Sequence, residues 1–122
     1  MRLNQIEPMI KDIATTQAAT STTPAVILPY SYYSFPKPGQ APPYIVYLSP
    51  GRSDLFADDF NYQQILDLDI ELYTKTKRYD LETKIEANLK AAGLAYSKTE
   101  SVIESDGVFM ITYATEVLIN NG

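Results

Sequence analysis

The chain reads as an α+β domain: an antiparallel or mixed β-sheet with two α-helices packed on one face, in the order α-β-β-β-α-β-β. Three observations predict this. Two segments carry apolar residues at helical spacing. Five further runs alternate apolar with polar residues or are rich in aromatic and β-branched residues. Those runs fall three before the second helix and two after it, which groups strands with strands. A chain of 122 residues fits one domain, residues 1–122, with a modest core.

Ile6, Met9, Ile10 and Ile13 fall at i, i+3, i+4 and i+7, so they share one helical face. Asn4 is the expected N-cap, and Pro8 is tolerable only close to that first turn. The helix is expected over about residues 4–19, fading into a polar stretch without apolar period and a Thr-rich linker over about 20–24. Seven of the 8 prolines lie between Pro24 and Pro50. Between them, Tyr30–Phe35 reads as a short edge strand and Tyr44–Leu48 as a second strand. Pro36–Gln40 supplies the turn chemistry between them, which predicts a hairpin over Tyr30–Leu48. Lys37 to Gln40 is expected to be exposed. Either Ile45 and Tyr47, or Tyr44, Val46 and Leu48, should face the core.

Arg52–Asn61 reads as a polar loop carrying Asp54, Asp58 and Asp59. Tyr62–Tyr73 is the clearest strand. Tyr62, Leu66, Leu68, Ile70 and Leu72 share one face, and Asp67, Asp69, Glu71 and Tyr73 the other. The second helix has Asp80 as its expected N-cap, Leu81, Ile85, Leu89 and Ala92 as its apolar stripe, and Gly93 as its stop. Tyr96–Glu104 and Val108–Ile119 then form a hairpin turning at Ser105-Asp106-Gly107.

Composition restricts the chemistry. There is no cysteine, which excludes disulfides and thiolate zinc. There is no histidine, which removes the commonest general base and transition-metal ligand. No nucleophile elbow, Ser-x-x-Lys, dinucleotide or P-loop pattern is present. A net charge of −5 argues against broad attraction to DNA or anionic membranes. The first residues lack the apolar region of a signal peptide, and no run approaches a transmembrane span. The expectation is a non-enzymatic cytoplasmic domain with no cofactor.

Two constellations remain. Asp67, Asp69 and Glu71 could ligate a divalent cation, alone or with Asp54, Asp58 and Asp59, or could be the wet face of a half-buried strand. The 10 tyrosines outnumber the 4 phenylalanines, and Tyr30, Tyr32, Tyr33, Tyr44 and Tyr47 cluster around the proline-rich segment. Tyrosine joins a large contact area to a polar tip, so the cluster could cover the rim of a small core or form an interface.

The order of motifs resembles one family. Tyr32-Tyr33-Ser34-Phe35 is followed by Gly39-Gln40-Ala41-Pro42-Pro43-Tyr44-Ile45-Val46-Tyr47-Leu48, then Asp69-Ile70-Glu71-Leu72-Tyr73-Thr74-Lys75, then the strand from Tyr96 to Ser105. This succession, over about residues 30–118, is similar to the tail terminator (tail completion, head–tail joining) proteins of siphophages and prophages of Gram-positive bacteria. The resemblance implies an α+β structural protein of the virion, assembled in the host cytoplasm. It implies a homo-oligomeric ring, typically a hexamer, at the head-proximal end of the tail. Such a ring ends tube polymerisation and offers the head its docking surface. Its partners would be the major tail tube protein and a head-side connector, with DNA only passing through the lumen and no membrane involved. The candidate interface residues are then Tyr30, Tyr32, Tyr33, Phe35, Lys37, Gln40, Tyr44, Arg52, Phe56 and Phe60, and Asp67, Asp69 and Glu71 could line the lumen. A stopper or minor capsid protein is the alternative, and a carboxylate-based cation-binding module a third.

Overall fold

The computed structural model describes residues 3–17, 20–33, 40–51, 55–57, 60–103 and 107–119. A single turn of 3-10 helix, Leu3–Gln5, leads into α1, Ile6–Ala14. The expected apolar face is the buried one: Ile6, Met9, Ile10 and Ile13 all face inward. Two details differ. Asn4 lies within the 3-10 turn, and the N-cap position falls on Gln5 without a side-chain cap. The helix also ends at Ala14, well short of residue 19. Thr15–Gln17 forms β1 instead and pairs antiparallel with β2, Val26–Ile27. β-branched threonines favour extended backbone once the apolar helical period stops. The Leu28 amide then donates to the Ala14 carbonyl at 2.8 Å, tying the exit of β2 to the end of the helix.

The main sheet contains β3 (Tyr30–Tyr32), β4 (Tyr44–Leu48), β5 (Leu55–Ala57), β6 (Phe60–Thr74), β7 (Tyr96–Ile103) and β8 (Val108–Ile119). Its order is β3-β4-β6-β8-β7, with β5 paired to β6 beside this path. The spine is β6 against β8, antiparallel from Gln64↔Ile119 to Thr74↔Phe109. The stretch expected to be a loop before Tyr62 contains β5, which pairs Ala57↔Phe60 and Phe56↔Asn61, so β6 begins at Phe60. Asp54, Asp58 and Asp59 lie outside the described residues.

The expected hairpin over Tyr30–Leu48 does not form. β3 and β4 are parallel, in register Tyr30↔Ile45 to Tyr32↔Tyr47. Alternation reports which face a residue takes, and that assignment is the same for either strand direction. Direction is set from outside: the α1–β1–β2 unit delivers the chain to Pro29, whose carbonyl accepts from the Ile45 amide at 2.9 Å. Ile45 joins the core with Tyr47 packed against it, as one of the two expectations had it. Tyr44 and Val46, on the opposite face, are buried as well.

Helix α2, Tyr79–Ala91, crosses the same face as α1. Leu68, Ile70 and Leu72 of β6, Ile111, Tyr113 and Val117 of β8, and Leu81, Ile85 and Leu89 of α2 form one buried cluster with the α1 face. The α+β architecture with helices on one face of a mixed sheet is therefore as expected. Asp80 is not the N-cap. Arg78 holds that position, and the Asp80 carboxylate takes both guanidinium bonds of Arg78, at 3.0 and 2.9 Å. Ala92 is the exposed C-cap rather than part of the stripe. Among the described residues no helix is long and apolar enough to cross a membrane.

Gly93 ends α2 as expected, at φ +73°. Its amide donates to Lys90 at 3.0 Å, and the Leu94 amide to Leu89 at 2.9 Å, which is the paired bonding of a Schellman cap. A Cβ at Gly93 would meet nothing within 4 Å, so only the backbone conformation opposes a side chain. Gly93→Ala is expected to cost about 1 kcal/mol in urea unfolding, the left-handed penalty of an L-residue.

Candidate functional site

The tyrosines gather where β3 meets α1. The Tyr30 hydroxyl donates to Glu7 Oε1 of α1 at 2.7 Å. That bond, then burial, pushes the phenol up to about 12. Tyr32 lies edge-on to Tyr47, ring centroids 5.2 Å apart, and 6.1 Å from Tyr33. Tyr33 closes β3 at φ +68°, and its amide is held by the Tyr47 carbonyl at 2.9 Å. A bulky side chain in the left-handed region is strained, by about 1 kcal/mol. Yet its ring buries little in return: Tyr33 is 68% exposed and Tyr32 52% exposed. A groove of about 460 Å³ opens beside them, lined by Ile6, Glu7, Tyr32, Tyr47, Leu66 and Leu68 among others. The site is thus apolar and aromatic, with one carboxylate.

The remaining interface candidates separate. Tyr44 is buried and stacks on Tyr73 at 4.8 Å, so it is a packing residue. A single strand has two faces, and Tyr44 is on the one opposite Tyr47. Gln40 is half-buried and its amide nitrogen donates to the Ala41 carbonyl at 3.0 Å. Phe35, Lys37 and Arg52 lie outside the described residues, as do the side chains of Phe56, Phe60 and Tyr62.

On the other face of the sheet, Asp67 and Asp69 line an open trough of about 610 Å³ with Ala114, Glu116 and Ser97. Register places Glu116 of β8 directly opposite Asp67, which extends the acidic row across two strands. Strand alternation marked Asp67 and Asp69; the pairing with Glu116 is non-local and had no sequence signal. Glu71 belongs to the same face but accepts the Tyr73 hydroxyl at 2.9 Å. Burial, then Asp67, raises the Asp69 carboxyl above its ordinary range. Between the unfolded and folded values the folded chain holds the extra proton, so stability from this group is greatest in acid and falls as pH rises through the raised value. Asp69→Asn is therefore expected to raise the urea midpoint modestly at pH 7, with the gain disappearing at pH 3. Among the described residues no three carboxylates converge closely enough to hold a metal ion.

Sequence reasoning missed a third cluster, under α2. Glu82 is only 2% exposed, and its Oε1 accepts from Lys77 at 3.0 Å and from Lys98 of β7 at 2.8 Å. Lys98 also reaches Glu86 at 3.0 Å, and Lys77 pairs with Glu100. The Tyr113 hydroxyl donates to Glu86 Oε2 at 2.8 Å. That bond and then Lys98 hold the Glu86 carboxyl below its usual range, while burial raises the Tyr113 phenol. The cluster staples α2 to β7 and β8.

No family model matches the chain, and neither the curated proteins nor the solved structures contain a match.

Proposed function

We propose that the chain is a structural component of a phage tail: a tail-terminator-like subunit that assembles into a ring at the head-proximal end of the tube. The observation that carries this reading is Tyr33, a large aromatic held in a strained backbone conformation at the surface with its ring exposed. Backbone strain clusters at functional positions, and in this reading the function of the exposed ring is contact outside the lone subunit. Tyr32, Tyr47 and the adjoining apolar groove supply area for a neighbouring copy or the tube protein. The succession of motifs along residues 30–118 supports the same reading. In the ring, the trough of Asp67, Asp69 and Glu116 faces the opening, where like charge keeps phosphates from adhering to the wall. The reading assigns no catalysis and no cofactor.

Tyr33→Gly separates assembly from folding. Relief of the left-handed strain, about 1 kcal/mol, roughly offsets the added freedom of the unfolded chain, about 0.4–1 kcal/mol. The variant should therefore melt within a few degrees of the parent. Electron microscopy of particles carrying it should show overlong tails. Tails of normal length beside heads that leak DNA would replace the terminator with a stopper. Normal tails on intact heads would sink the assembly role of this residue.

A further inference from the structure

We propose that the free edge of β7 pairs antiparallel with β7 of a second copy of this chain, about a two-fold axis at Thr99. Among the described residues β7 bonds to β8 alone, so its other side presents a row of unpaired backbone groups. The strand runs eight residues, Tyr96–Ile103, in unbroken register with β8, and its side chains are exposed from Tyr96 to Val102. Among the described residues the edge is neither short nor broken. The strand contains no proline, glycine or register shift. Lys98, the residue type that most often guards an edge, is drawn beneath α2 to Glu82 and Glu86. The opposite edge, β3, is protected: it has three residues, follows Pro29 and stops at the left-handed Tyr33.

The residues themselves select the partner. With Thr99 facing Thr99 of the second copy, Lys98 stands opposite Glu100, Ser97 opposite Ser101, and Tyr96 opposite Val102. The hydroxyl and aromatic–β-branched pairs are cross-strand combinations that stabilise antiparallel sheets, and the first pair sets unlike charges opposite each other, each already partnered within its own subunit. Centring the pair on Lys98 or on Glu100 would instead set like charges face to face. Tyr96 and Val102, 37% and 52% exposed in the single chain, would cover one another. The pairing joins two sheets into one and keeps all four long helices on the same face. It does not rest on the tail reading, because a ring closes through heterologous contacts that need other surfaces.

The chain has no cysteine, so an introduced one reports alone. Facing Cβ atoms in an antiparallel pair lie about 4.5–5.5 Å apart, near disulfide reach. The full chain carrying Thr99→Cys, mildly oxidised, is expected to yield a covalent dimer on a non-reducing gel. Ser97→Cys alone should cross-link at least tenfold more slowly, since Ser97 faces Ser101. Ser97→Cys mixed with Ser101→Cys should restore the rapid rate. Absence of the Thr99→Cys dimer, or equal self-linking by Ser97→Cys, overturns the proposal.

Discussion

Ile10→Ala is expected to destabilise the fold by about 3 kcal/mol, within the range for truncating a fully buried isoleucine. Ile10 has no exposed surface and sits in the cluster shared by α1, α2 and the central strands. The removed methylene and methyl groups lose their transfer energy, and packed neighbours on three elements close the cavity only in part. A domain of this size has a total stability of roughly 5–15 kcal/mol, so the loss is a large share of the whole. Equilibrium urea unfolding would register it as a lower midpoint at unchanged slope. Ile10→Val keeps most of the volume and should cost about 1 kcal/mol. A cost for Ile10→Ala below that of Ile10→Val would contradict the packing described for α1. Because α1 also carries Glu7, the same substitution should loosen the support of Tyr30 and the groove beside it.

Lys98→Ala is expected to cost about 2 kcal/mol, through a different physical cause. The substitution takes away the lysine shared by Glu82 and Glu86 and leaves Lys77 to serve Glu82 and Glu100, and Glu82 is too buried to turn toward water. Removing one partner of a buried pair typically costs about 3–5 kcal/mol, and the retained Lys77 reduces that figure. The informative companion is Glu82→Leu. Alone or combined with Lys98→Ala, it removes the buried charge and keeps the volume, so the double variant should recover most of the loss. If the two losses simply add, the ion pair is not what links α2 to β7.

The same cluster sets an acid dependence. The Glu86 carboxyl is held low by the Tyr113 hydroxyl and Lys98, so its stabilisation is complete above the ordinary carboxylate range. It is lost as pH falls through the depressed folded value. Asp69 works in the opposite sense, being raised by burial and Asp67. Tyr113→Phe should therefore flatten the acid limb of a stability–pH curve, and Asp69→Asn should steepen it.

What the residues determined unaided were the local periods and their stops. The faces of α1 and α2, the split of β6 into Leu68, Ile70 and Leu72 against Asp67, Asp69 and Glu71, the β7–β8 hairpin and the cap at Gly93 were all legible. Each depends on neighbours within a few positions, where helical or strand spacing and positive-φ glycine leave a direct mark. Tertiary structure decided the rest. It set β3 parallel to β4, turned Thr15–Gln17 into a strand against Val26–Ile27, buried Tyr44, placed Glu116 beside Asp67 and closed Glu82 between two lysines. Strand direction, edge position and the partner of a charge depend on residues tens of positions apart. Side-chain alternation is identical for either strand direction and records nothing about which segment lies alongside.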